Sequence, residues 1–223
     1  MIRAIVNKEV RETWAYAALA LGLSAACVCR QTGLWSGFLN LILSWVPGLS
    51  EKALLPFIQS GFGATFGLIA FALAMTLGFR QSAWEGSQGT ALYLLHLPLP
   101  RRTYFLTKLS TGIGLQLATM SLPIVWYACW AALPGTHPAP FEWSMIDPVM
   151  RLLQLAPLVY LGAFASGIRT ARWIGSRLLP LVAVAIPAYF IYNTSWLVGL
   201  PVLVIMSAGL ISDILLEAST RDF

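Results

Sequence analysis

The chain has 223 residues, of which 58% are hydrophobic and only 10% charged, with a formal net charge of +5; ordinary soluble domains carry roughly 45–50% and about 25%. At a mean hydropathy of +0.74 there is too little polar surface to cover so much apolar mass in water. A soluble enzyme, a disordered tail and a nucleic-acid-binding module are excluded, and the composition is that of an integral membrane protein.

Residues 1–12 read as a short basic amphipathic helix. Ile2, Ile5, Val6 and Val10 lie on one side and Arg3, Lys8, Arg11 and Glu12 on the other, while Glu9 intrudes on the apolar side. Such a helix rests in the plane of the headgroups, giving an interfacial elbow that turns into the first crossing at Trp14. Crossing a ~30 Å hydrocarbon core takes about 17–25 mostly apolar residues. Six stretches qualify or come close: 13–29, 53–79, 109–133, 152–168, 178–193 and 196–212. The third is cut by Pro134-Gly135; the fifth is the shortest, with a tilted or re-entrant course as its alternative. Residues 31–49 carry Trp35, Phe38, Leu39, Ile42, Leu43, Trp45 and Val46 among polar positions. That pattern predicts an amphipathic helix at the outer interface, where tryptophan is favoured, with a seventh span as the alternative. The fold class is therefore an all-α integral membrane protein, one transmembrane domain over 1–223 with six spans.

With the N-terminus inside, Arg3, Lys8, Arg11, Arg80, Arg101, Arg102, Lys108, Arg169, Arg172, Arg177 and Arg221 are cytoplasmic, and only Arg30, Lys52 and Arg151 are outside. This positive-inside bias puts both termini in the cytoplasm and the chain in the cell's inner (plasma) membrane. It also ties the excess charge to topology rather than to nucleic acid. The six stretches hold no Asp, Glu, Lys, Arg or His, which counts against proton relays and voltage sensing. Gly63 and Gly67 form a small-xxx-small face that permits close helix approach, within the chain or against a second subunit. Cys27, Cys29 and Cys129 sit in apolar runs and read as small hydrophobes. His96 and His137 lack companions at metal-ligand spacing, so no metal site is expected.

The longest cytoplasmic segment is 80–108, RQSAWEGSQGTALYLLHLPLPRRTYFLTK. Its Leu92, Tyr93, Leu94, Leu95 and Leu97 crowd together before Pro98 and Pro100, which stop a helix there. A short helix with an apolar side suits either the membrane surface or a groove on a soluble partner.

Glu85, Gly89-Thr90, Leu94-Leu95, Leu97-Pro98, Arg101 and Lys108 together resemble the first cytoplasmic loop of type-2 ABC transporter permeases. The opening Asn7-Lys8-Glu9-Val10-Arg11 is similar to the start of the same family. Ser87 departs from the pattern, where a second carboxylate is usual, as does Leu99. The layout of surface helix, two spans, inner loop and four spans also matches along the whole chain. The resemblance implies that 80–108 carries a coupling helix between the second and third spans. Glu85, Gly89, Thr90, Leu94, Leu95, Pro98 and Arg101 would touch a separate nucleotide-binding ATPase subunit, which holds the ATP-Mg. It further implies an exporter built as a homodimer or a pair with a similar permease.

No G-x-x-x-x-G-K-[ST] occurs in the chain, so no cofactor is expected on it and ATP hydrolysis belongs to the partner. Burying Leu92, Tyr93, Leu95 and Leu97 in that partner would give roughly 6–12 kcal/mol of gross hydrophobic gain. The rival to a permease is a non-transporting membrane anchor of a larger assembly. An intramembrane enzyme is less supported: Ser110, Ser121, Gln116, Tyr160 and Ser166 have no base nearby in the sequence, and hydroxyls in spans commonly bond their own helix backbone.

Overall fold

The computed structural model describes residues 2–33, 55–58, 61–84, 100–137, 139–169 and 173–220. Among these the secondary structure is entirely helical. In chain order the helices are α1 (Ile2–Gln31), α2 (Phe62–Phe79), α3 (Arg101–Ala131), α4 (Asp147–Ile168), α5 (Ile174–Ala183), α6 (Ala185–Asn193) and α7 (Trp196–Thr220). A π-helical turn, Arg80–Trp84, extends α2, and a 3₁₀ turn, Trp143–Ile146, leads into α4. Counting α5 and α6 as one bent crossing, six helices are long and apolar enough to span a membrane. The segment 34–54 lies outside the described residues, so the interfacial helix expected at 31–49 does too, apart from its first three residues.

The helices alternate in direction. Glu9, Trp84, Arg101, Arg169, Arg177 and Glu217 therefore gather at one end, here called basal, and Phe57, His137, Asp147 and Trp196 at the distal end. At the centre stands α4: 72% of its most apolar stretch is buried within the chain, against 11% for α7. The outward Leu197, Val198, Val204 and Ile205 of α7 suit contact with hydrocarbon, as the helical span requires.

The structure does not show the interfacial elbow expected at 1–12 as a separate helix. Ile2–Gln31 is a single helix with no turn at Trp14, which points outward and is 60% exposed. No Gly or Pro interrupts residues 2–21. The Lys8–Glu12 pair (3.7 Å) and the bond from Thr13 Oγ1 to the Glu9 carbonyl (2.6 Å) bridge the expected joint. In the same way α3 begins at Arg101 rather than at 109. Pro100, with φ −57° and ψ 132°, needs no N–H partner, and its carbonyl accepts the first helical bond from the Tyr104 N–H at 3.2 Å. The helix stops before Pro134-Gly135, where Gly135 takes φ +82°, a region open to glycine. The fifth crossing runs Ile174–Asn193, about 30 Å along its axis, and breaks at Val184. The ring of Pro187 opposes the carbonyl of Ala183, which explains the break.

The distal end of the core is aromatic. Phe57, Phe62, Phe66, Tyr127, Trp130 and His137 form a chain of ring contacts with centroids 4.5–6.4 Å apart. Phe57 holds φ 64°, a left-handed conformation costing roughly 1–2 kcal/mol in an L-residue. Packing of its buried ring on Tyr127 at 4.5 Å offsets that cost.

Candidate functional site

At the basal end the core changes character. Glu9 of α1 and Lys108 of α3, each 1% exposed, form an ion pair at 3.6 Å. Lys108 Nζ also lies 3.5 Å from the Tyr104 hydroxyl and 5.5 Å from the centre of its ring. An isolated charge at membrane depth costs at least ~2.5 kcal/mol, and a buried ion has a desolvation penalty of several kcal/mol. Mutual neutralisation is what lets both residues sit here. The six apolar stretches hold no charge, but the helices begin before them, and among the described residues Glu9 and Lys108 bring an anion and a cation into the bundle interior.

A second polar contact lies beside the first. Tyr160 of α4 donates its hydroxyl proton to Gln81 Oε1 at 2.6 Å, and Tyr160 is fully buried. Gln81 belongs to the π-helical turn, a feature frequent at functional sites. Gly112 of α3 makes room for this pair. A Cβ there would stand 2.7 Å from Gln81 Oε1 and closer still to the Tyr160 ring. Gly167 of α4 does the same for the turn itself, since its Cβ would press on Ser82 and come within 3.0 Å of the Ala83 nitrogen. The α4 C-terminus is held in turn by Arg177, whose Nε and Nη2 donate to the carbonyls of Ser166 (3.4 Å) and Gly167 (3.5 Å). Those carbonyls would otherwise lack partners at a helix end.

These contacts surround the two roots of the long loop. The chain leaves α2 through a turn pinned to α4, and it returns through α3, pinned to α1. An ion pair and a hydrogen bond sealed from solvent, each joining two different helices, fix position. Of the residues assigned to the coupling contact, Arg101 is exposed in the first turn of α3. Glu85, Gly89, Thr90, Leu94, Leu95 and Pro98 lie outside the described residues. Gly63 and Gly67 both face α4: a Cβ at Gly67 would stand 3.3 Å from the Leu152 side chain, and one at Gly63 would stand 4.0 Å from Val149.

The polar groups weighed for catalysis are engaged elsewhere. Ser110 and Ser121 donate to carbonyls of their own helix, and Ser166 Oγ accepts from the Leu181 N–H at 3.2 Å. Gln116 Nε2 reaches the Ala70 carbonyl at 3.5 Å. Among the described residues no group of three His, Cys, Asp or Glu side chains could hold a metal. Sequence reasoning missed Gln81 and the partnership of Glu9 with Lys108. One signal was present: Glu9 breaks the apolar side of its helix.

No family model matches the chain, and neither a curated protein nor a solved structure does. The architecture defines the class, a multi-pass helical membrane protein with six candidate spans.

Proposed function

We propose that the chain is the membrane-spanning permease subunit of an ATP-driven ABC transporter, working as an exporter. In this reading it forms the translocation path with a second copy or a similar permease. It is driven by a separate ATPase subunit, carrying the ATP-Mg, that seats on residues 80–108. The distribution of basic residues supports a cytoplasmic position for that segment and for both termini, in the inner (plasma) membrane.

The observation that carries the proposal is the buried polar contact at each of the loop's two roots. A lever transmits force only when its base does not yield. Here the outgoing root is locked by Tyr160–Gln81 and by the close fit of Ser82 on Gly167, and the returning root by Glu9–Lys108. A push on 85–99 would reach α4 and α1 through bonds that have no water to soften them. A passive docking handle has no need of such a base.

The test is affinity purification of the full chain from its native membrane. A P-loop ATPase is expected to co-purify, and Leu95→Asp is expected to abolish its retention while membrane insertion stays intact. Absence of any P-loop ATPase, or retention unchanged by Leu95→Asp, overturns the reading. An ATPase that is retained but never stimulated by any candidate cargo identifies an anchor instead.

A further inference from the structure

The outer faces of α1 and α2 enclose a groove that the permease reading does not use. Two hollows of about 320 and 480 Å³ adjoin along it at Tyr16 and Thr76, which line both. Its upper part is apolar, lined by Leu19, Leu23, Leu68 and Leu73. Its basal part carries Arg80, Trp84 and Arg177. Among the described residues that line it there is no carboxylate. Glu12, one turn before Tyr16 on α1, has its charge offset by Lys8 at 3.7 Å.

We propose that this groove binds one anionic phospholipid of the leaflet at the basal end, its acyl chain along the leucines and its phosphate between Arg80 and Arg177.

Three features select this occupant. The first is length: from Leu68 to Arg80 the rise along α2 is about 18 Å, a little more than half of a ~30 Å hydrocarbon core. That is the depth of a single leaflet plus its interface. The second is polarity, which changes once along the groove, from apolar to doubly cationic, in the same order as a lipid from tail to headgroup. The third is preorganisation. The Arg80 guanidinium stands over the Trp84 ring at 4.8 Å, and Arg177 is held by the Ser166 and Gly167 carbonyls. Both cations are thus placed before a ligand arrives: Arg80 can present its planar fork to phosphate oxygens, and Arg177, with Nε and Nη2 on the carbonyls, its remaining Nη donors. A free phosphate would satisfy the arginines and leave the apolar part of the groove empty. The inference needs the membrane-spanning architecture alone and stands apart from coupling to an ATPase.

The experiment offers the purified full chain phosphatidylglycerol, phosphatidylcholine and inorganic phosphate separately in detergent. Retained lipid is read by native mass spectrometry, and the melting temperature is followed in parallel. Phosphatidylglycerol alone is expected to be retained and to raise the melting temperature. Arg80→Gln with Arg177→Gln should weaken retention about thirtyfold, the factor matching two contacts of about 1 kcal/mol each. Because Arg177 also caps α4, Arg80→Gln by itself serves as the second variant, with about a fivefold loss expected, while Arg80→Lys keeps most of the binding. Leu19→Asn should weaken retention without touching the charges. Equal retention of both lipids, a shift reproduced by inorganic phosphate, or indifference to Arg80→Gln overturns the proposal. So does a Leu19→Asn variant that changes the oligomeric state while lipid retention is unaltered, since the groove would then be covered by a second copy.

Discussion

The two ends of this bundle are held together by different physics. Distally, Phe57, Phe62 and Tyr127 touch one another pairwise, and Phe66 and Trp130 extend the cluster from Phe62 and Tyr127, so the burden is spread over many apolar contacts. Basally, Glu9 meets Lys108, which also approaches Tyr104, and Tyr160 meets Gln81, a few directional contacts in a region closed to water. Dispersion is tolerant, because a ring that shifts finds other atoms to touch. Ion pairs and hydrogen bonds in a low dielectric are not, since the loss of one member strands the other. The bundle is therefore compliant where the distal aromatic residues pack and stiff where the long loop is rooted.

The largest expected effect breaks the stiff end. Lys108→Met removes the cation that faces the buried Glu9 carboxylate, which should cost about 3–5 kcal/mol. The double replacement Glu9→Leu/Lys108→Met should recover most of that loss, as replacement of a buried pair by apolar residues often does. Thermal unfolding of the wild type, the two single variants and the double variant in one detergent measures the cycle. A double variant no better than either single one would refute the account of a mutually neutralised pair.

Tyr160→Phe is a milder cut at the same end. It keeps the ring among Phe164 and its neighbours and strands Gln81 Oε1, at an expected cost of about 1–2 kcal/mol. Protease sensitivity of the 80–108 segment should rise with it, because the π-helical turn loses its tie to α4. Unchanged sensitivity would show that the turn is held by packing on Gly167 alone.

The smallest effect sharpens the contrast from the other side. Tyr127→Leu preserves apolar burial in the distal cluster and removes its ring pairing, worth about 0.5–1.5 kcal/mol. Retention of the ATPase and sensitivity of the loop should both stay at wild-type levels, although the melting temperature falls slightly. Loss of partner retention in this variant would erase the proposed division between the two ends.

Much of the scaffold was legible from residue types alone, and the misreadings share one cause. The crossings at 152–168 and 196–212 have counterparts in α4 and α7, since uninterrupted apolar length needs no knowledge of neighbours. Boundaries were misplaced at 1–12 and 101–108, where charged residues were read as surface markers. Lys108 was counted among the basic residues of a loop, although it sits inside α3 opposite Glu9. Glu9 and Lys108 each belong to a stretch that resembled the same family, but nothing in either stretch says that the two touch. Gln81 carried no signal at all, because its meaning comes from a tyrosine on another helix.

What the sequence by itself determined is the number and kind of crossings. In hydrocarbon every backbone polar group needs a partner within the protein, and a stretch of about 20 apolar residues finds those partners by coiling as a helix. What only the tertiary structure decided is which polar side chains survive inside. A buried charge or amide is tolerable when a complementary group stands within bonding distance, and that distance is set by which helix faces meet. The basal anchor, and the groove beside it, exist only once α1, α2, α3 and α4 are packed together.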